Sequence, residues 1–165
     1  MIQRTRYVPL VVALVALMLF SAALVQAAIV TLNNVDGTWS GASSGGINLP
    51  SCLYYNNTAD TTDENQVAYG SSNSDYWGYP ICPGSLDLTR QSGFGFNGTD
   101  GPLAVNTGEI FLLGELTHYN RPIYTTYPFR TVDLDIALDF AGLPLSTLSF
   151  QMQLDETSNQ AGTCQ

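Results

Sequence analysis

No lysine occurs anywhere in the 165 residues, and histidine occurs once, as His118. Arginine supplies all five basic residues, against 14 aspartates and glutamates. Two of the arginines, Arg4 and Arg6, sit at the extreme N-terminus. Beyond residue 28 only Arg90, Arg121 and Arg130 remain, so three positive charges against 14 negative leave −11. Such a chain repels phosphate backbones and anionic lipid, which excludes nucleic acid as a partner. It suits solubility, and it also suits divalent cations. One histidine cannot build a zinc site, which needs several His or Cys ligands. A serine hydrolase needs its nucleophile on a strand-turn-helix elbow, and no serine is placed that way by the sequence pattern. Helical periodicity is also missing: no sustained apolar stripe follows residue 28.

One long apolar run is present. Tyr7 to Val25 reads "YVPLVVALVALMLFSAALV", after the basic start and before "VQAA". Val25 and Ala27 are small residues placed for a cut before Ala28. This is the order of a secretory signal, so residues 1–27 are expected to be a signal peptide. The length of the run also leaves an N-terminal anchor open. Either way the remainder is exported, secreted or held at the cell surface. No later run is long enough to span a bilayer.

Export means an oxidising compartment, where cysteines pair. There are three: Cys52, Cys82 and Cys164. Cys52 with Cys82 is the expected disulfide, closing a polar loop and stabilising by about 3 kcal/mol. Cys164 is left unpaired, either for an intermolecular bond or for a partner in further chain.

Residues 28–165 favour strands and turns through Gly, Ser, Thr, Asn, Tyr and Phe. "IVTLNNV" alternates from Ile29, Asp36-Gly37 is a turn signal, and Trp39 is a core anchor. Further strands are expected at Asn65–Gly70, at Ser92–Gly98 and, the most apolar, at Glu109–Asn120. "FRTVDLDIALDF" alternates strictly, with Val132, Leu134, Ile136 and Leu138 on one face. "STLSFQMQLDE" repeats this with Leu148, Phe150, Met152 and Leu154, and "GLPLS" turns between the two. Two long strands with one wet face each imply an antiparallel sheet. The expected fold is a single all-β, antiparallel β-sandwich of jelly-roll-like topology over 28–165.

The order of "VDGTWS", "DENQVAYG", "SGFGFNG", "FLLGELTHYNRPI" and "VDLDIALDF" resembles the choice-of-anchor K domain. That group overlaps the THxN-type bacterial surface proteins, and Thr117-His118-Tyr119-Asn120 carries the four-residue signature. The resemblance spans about residues 33 to 160. It implies an exported bacterial β-sandwich whose members end in varied anchors, such as PEP-CTERM-type sorting segments. It implies no catalytic residues. Members continue with more strands and an anchor, so the C-terminal part is expected to be missing here.

Several side chains are candidates for chemistry. His118 and Asn120 are expected on one face of a strand end, bonding loop backbone before Pro122. Asp60, Asp63 and Glu64 share one loop and offer oxygen ligands for calcium. Tyr54, Tyr55, Tyr76, Trp77 and Tyr79 cluster near the cysteines. Exposed, Tyr76, Trp77 and Tyr79, with Tyr119, would stack on sugar rings; otherwise the cluster packs under the loops as a satellite core. Asp133, Asp135 and Asp139 alternate on a strand as a solvated face would. The leading expectation is a non-catalytic exported module of unknown ligand. The alternatives are a carbohydrate-binding module with a structural calcium ion, and a hydrolase using a carboxylate pair.

Overall fold

A computed structural model describes residues 28–58 and 63–154. The expected signal segment, Asp60 and Cys164 lie outside the described residues. Eight strands run in order: β1 Ile29–Ser43, β2 Tyr54–Asn56, β3 Asn65–Tyr69, β4 Ser92–Gly98, β5 Asp100–Asn106, β6 Gly114–Tyr119, β7 Thr131–Phe140 and β8 Ser146–Gln153. They form two four-stranded sheets, ordered β5-β1-β7-β8 and β2-β3-β4-β6. Every pairing is antiparallel. No helix occurs among the described residues.

The two sheets share one core. Leu32, Val35, Trp39, Val132, Leu134 and Ile136 enter it from the first sheet, and Val67, Tyr69, Phe94 and Phe96 from the second. Trp39 stacks on Phe94 at 5.8 Å between ring centroids, and Tyr69 stacks on Phe129 at 4.8 Å. The period-two reading of β7 is borne out: Val132, Leu134, Ile136 and Leu138 are all buried. Alternation in β4 puts Phe94 and Phe96 inward and leaves Gly93 and Gly95 on the other face.

β1 departs from expectation. Asp36-Gly37 is not a turn; it lies in the middle of a 15-residue strand, with Gly37 opposite Ile136. The pairing with β7 outweighs the local turn preference, and glycine is needed there because the ring of Phe96 lies where a Cβ would stand. Register shifts at Leu32/Asn34 and Ser40/Ser43 keep this long strand in phase with the core. Before the first shift Leu32 points inward; between the two, Val35, Gly37 and Trp39 do; within the second, Ala42 does. Gly41, at the second shift, has φ of 62°, and Asp133 fills the space a side chain would take.

Two further boundaries moved. In the Glu109–Asn120 stretch only Gly114–Tyr119 pairs as a strand, because β4 offers it just Gly93–Gly98. Upstream, Phe111 and Leu113 pack on the core while Ile110 and Leu112 face solvent. β5, Asp100–Asn106, lies in a stretch where no strand was expected. Its place at a sheet edge is what tolerates the proline.

β5 pairs with β1 only as far as Asn34. Beyond that point the open side of β1 is met by side chains from the other sheet. Asn57 accepts from the Trp39 N–H at 2.9 Å and donates to its carbonyl at 2.9 Å. Asn65 donates to the Gly37 carbonyl and to Asp36 Oδ1. The Tyr55 hydroxyl accepts from Ala42 N–H at 2.9 Å. These bonds close one side of the body without a strand. At the opposite ends of the two sheets lie β6 and β8. There Leu116, on β6, and Leu148 and Phe150, on β8, stay partly exposed.

Candidate functional site

The link from β3 to β4 runs over residues 70–91, and the disulfide pins it. Cys52 and Cys82 are bonded, with Cα atoms 5.2 Å apart. Gln91, fully buried, donates to the carbonyls of Cys52 at 2.8 Å and Gly70 at 3.1 Å, and accepts from Asp87 N–H at 2.8 Å. Asp87 also accepts from Thr89 and Arg90, and these bonds hold its carboxyl down to about 2. Ser71 bridges to Tyr124, and its hydroxyl donates to the Ile81 carbonyl at 2.6 Å.

From this base a small hairpin projects. Ser74 pairs with Pro80, Ile81 N–H donates to the Asn73 carbonyl, and Asp75 N–H donates to the Tyr79 carbonyl. Inside the turn, Asp75 Oδ1 accepts from Trp77 and Tyr79 N–H, both at 2.9 Å. Aspartate makes this turn because its short carboxylate accepts from backbone N–H groups two and four residues on. Gly78, at φ of 81°, supplies the left-handed step.

The hairpin turns its aromatics outward. Tyr76 is 92% exposed, Trp77 78% and Tyr79 58%. Tyr76 and Trp77 meet edge to face, with ring centroids 5.2 Å apart. The satellite-core alternative is therefore not what the chain adopts. Asp75 and Gly78 fold the turn back on itself, which leaves its side chains no core to reach. The result is a disulfide-stapled base carrying an exposed apolar patch on a turn whose Asp75, Trp77, Gly78 and Tyr79 N–H groups are bonded.

Tyr119 does not join this patch. It lies on β6, and its hydroxyl donates to Glu64 Oε2 at 2.6 Å. Glu64 also accepts from Gln66 at 2.7 Å and lies over Gly95, where a Cβ would collide with it. The bond to Glu64 is the largest cause that pushes the Tyr119 hydroxyl up to about 12; burial and the nearby negative charge add to it. Glu64 is thus committed to Tyr119 and Gln66, while Asp63 beside it is exposed. No group of three metal-ligating side chains occurs among the described residues.

The rest of the four-residue signature is split between faces. His118 stands opposite Phe94 and stacks on it, at 5.0 Å between ring centroids. Among the described residues, neither the His118 nor the Asn120 side chain bonds loop backbone as expected. That tie is made by Ser92, which accepts from Arg121 N–H at 2.9 Å and donates to its carbonyl at 3.0 Å. Strand alternation sends Thr117 and Tyr119 to the face opposite His118.

"GASSG", Gly41 to Gly45, has the spacing of a nucleophile elbow, but Ser43 ends β1, no helix follows, and its hydroxyl accepts from Gly45 N–H. Compared with known protein families, curated proteins and solved structures, the chain matches none.

Proposed function

We propose that the protein is a non-catalytic exported binding module, a single β-sandwich of jelly-roll-like type that presents Tyr76, Trp77 and Tyr79 to a neutral polysaccharide. The observation behind this reading is the exposure of three aromatic rings on a turn that is stapled, bonded and built to hold them out. A free apolar patch of this kind is retained where a partner covers it. Flat rings with a hydroxyl or N–H at the edge suit sugar, stacking on its apolar face while bonding its hydroxyls. The net charge of −11 beyond residue 28 disfavours polyanions and anionic lipid as alternatives. The resemblance to the choice-of-anchor K and THxN-type surface proteins agrees with an exported, surface-displayed role. A structural calcium ion near Asp60 and Asp63 belongs to the same reading.

The test is a thermal-shift panel of soluble neutral glycans. At least one glycan should raise the melting temperature, and Trp77→Ala should abolish the rise while melting like the parent. No rise across a broad panel would refute the reading. A chelator that leaves the melting curve unchanged would refute the calcium ion alone.

A further inference from the structure

We propose that the aromatic patch continues past the hairpin, through Ile81 to Tyr124, and that this stripe grips one neutral polysaccharide chain along several consecutive sugars. The inference rests on the glycan reading and extends it, from a patch of three rings to a track that selects chain length. Tyr124 belongs to the 120–130 connection, yet it is joined to the hairpin's base. Ser71 N–H donates to the Tyr124 carbonyl at 3.2 Å, and Tyr124 N–H donates to the Ser71 carbonyl at 2.7 Å. Arg121 Nε donates to the Leu88 carbonyl at 3.1 Å. Further along the connection, Ser51 N–H donates to the Tyr127 carbonyl at 3.1 Å, beside the disulfide at Cys52.

The 71–75 arm of the hairpin is thus flanked on both sides. Tyr124 pairs with Ser71 on one side, and Pro80 pairs with Ser74 on the other. On that second side Ile81 stands opposite Asn73, and Tyr79 opposite Asp75. Opposite residues of an antiparallel pair share a face, and so do alternate residues of one arm. Register therefore puts Tyr124, Ile81 and Tyr79 on one face. All three are exposed: Tyr124 49%, Ile81 52% and Tyr79 58%. Tyr124 lies two strand spacings across and four residues along from Tyr79, roughly 16 Å between Cα atoms. No single sugar bridges that span, and Ile81 fills its middle. Tyr55 and Tyr119 spend their hydroxyls within the protein, whereas no described residue bonds the hydroxyl of Tyr79 or Tyr124.

Charge favours an uncharged occupant. The connections at this end, 44–51, 70–91 and 120–130, hold Arg90, Arg121 and Arg130 but only two acids, Asp75 and Asp87. Asp75 is used inside the turn, and Asp87 is bonded to Thr89 and Arg90. A partner covers this end without burying an unpaired carboxylate, which would be costly. A neutral glycan chain lays its apolar faces on the rings and bonds the free hydroxyls at their edges.

The experiment is calorimetric titration of the protein as recovered after export with oligomers of cellulose, xylan and dextran, from disaccharide to octasaccharide. For a polymer that binds, the octasaccharide should bind about tenfold more tightly than the trisaccharide, because it reaches both ends of the track. Tyr124→Ala should melt like the parent and lose this gain with length. Nitration by tetranitromethane, read by mass spectrometry, should modify Tyr124 in the free protein and spare it under the octasaccharide. A length gain that persists in Tyr124→Ala overturns the track. So does equal affinity at all lengths while Trp77→Ala still abolishes binding; in both cases the glycan reading stands. Failure of every oligomer and parent polymer to bind overturns both. A Tyr124 that resists nitration in the free protein is covered by further chain or a second copy, and that also overturns the proposal.

Discussion

Asn65 gives the sharpest test of how the two sheets are joined. It is 2% exposed, and every polar atom of its side chain is used. Its amide donates to Asp36 Oδ1 at 2.7 Å and to the Gly37 carbonyl. Its oxygen accepts from Thr58 N–H at 2.6 Å and from the Thr58 hydroxyl at 3.1 Å. Its own carbonyl accepts from the indole N–H of Trp39 at 2.9 Å. Asn65→Ala keeps the last bond and removes the others. Each buried group left unpaired costs about 1–3 kcal/mol, more where a charge is involved. Water reaches some of these partners, so the expected loss is about 3 kcal/mol. Asn57→Ala removes two bonds at a less buried position and should cost about 1–2 kcal/mol. Asn65→Asp should be worse than alanine at neutral pH. It turns a donor into a carboxylate facing Asp36 and a carbonyl oxygen. Repulsion would raise the folded pKa of that new group above its unfolded value. The penalty is therefore largest above the folded pKa and shrinks as pH falls through it. Urea unfolding by tryptophan emission measures all three variants, with an unchanged slope required. A loss below about 0.5 kcal/mol for Asn65→Ala would refute the view that these bonds close the body.

Three other outcomes are expected. Replacing Cys52 and Cys82 by serine opens a link of 30 residues and should cost about 3–4 kcal/mol, read as a lower urea midpoint. Gly41→Ala forces a side chain into positive φ and against the Asp133 carboxylate, for a loss of about 1–3 kcal/mol by the same assay. The Tyr119 hydroxyl ionises at about 12 when folded, against 10.0 as the ordinary value. Its stabilisation is therefore full below pH 10.0 and fades as pH rises toward 12, and Tyr119→Phe should flatten that alkaline limb of the stability profile.

The sequence made parts of this fold legible and hid others. β4 and the inward face of β7 follow from alternation alone, since a period of two fixes which side chains reach a core. The disulfide follows from cysteine spacing together with the expectation of export. β1 was not legible past Val35, because Asp-Gly imitates a turn there and a register shift at Ser40/Ser43 breaks the period further on. Of the inward set on β8, Met152 and Leu154 pack against the core, while Leu148 and Phe150 share that face by register but stay exposed, which depends on what covers the sheet's end. At the hairpin, sequence gave the aromatic cluster without its direction. Asp75 in "SDYWGY" was the available clue: an aspartate that caps N–H groups two and four residues on makes a tight turn with its side chains outside. The pairing of Glu64 with Tyr119 had no local signal, since the partners lie 55 residues apart.

The central claim is that the Tyr76–Trp77–Tyr79 patch is a binding surface. The most direct measurement is tryptophan emission during titration with neutral polysaccharides. The chain has two tryptophans, Trp39 buried and Trp77 exposed, so a change in the solvent-exposed component reports on the hairpin. The account predicts a saturable blue shift that is absent in Trp77→Ala, whose remaining emission from Trp39 stays fixed. Emission from Trp77 that is unmoved by every polysaccharide tried would contradict it.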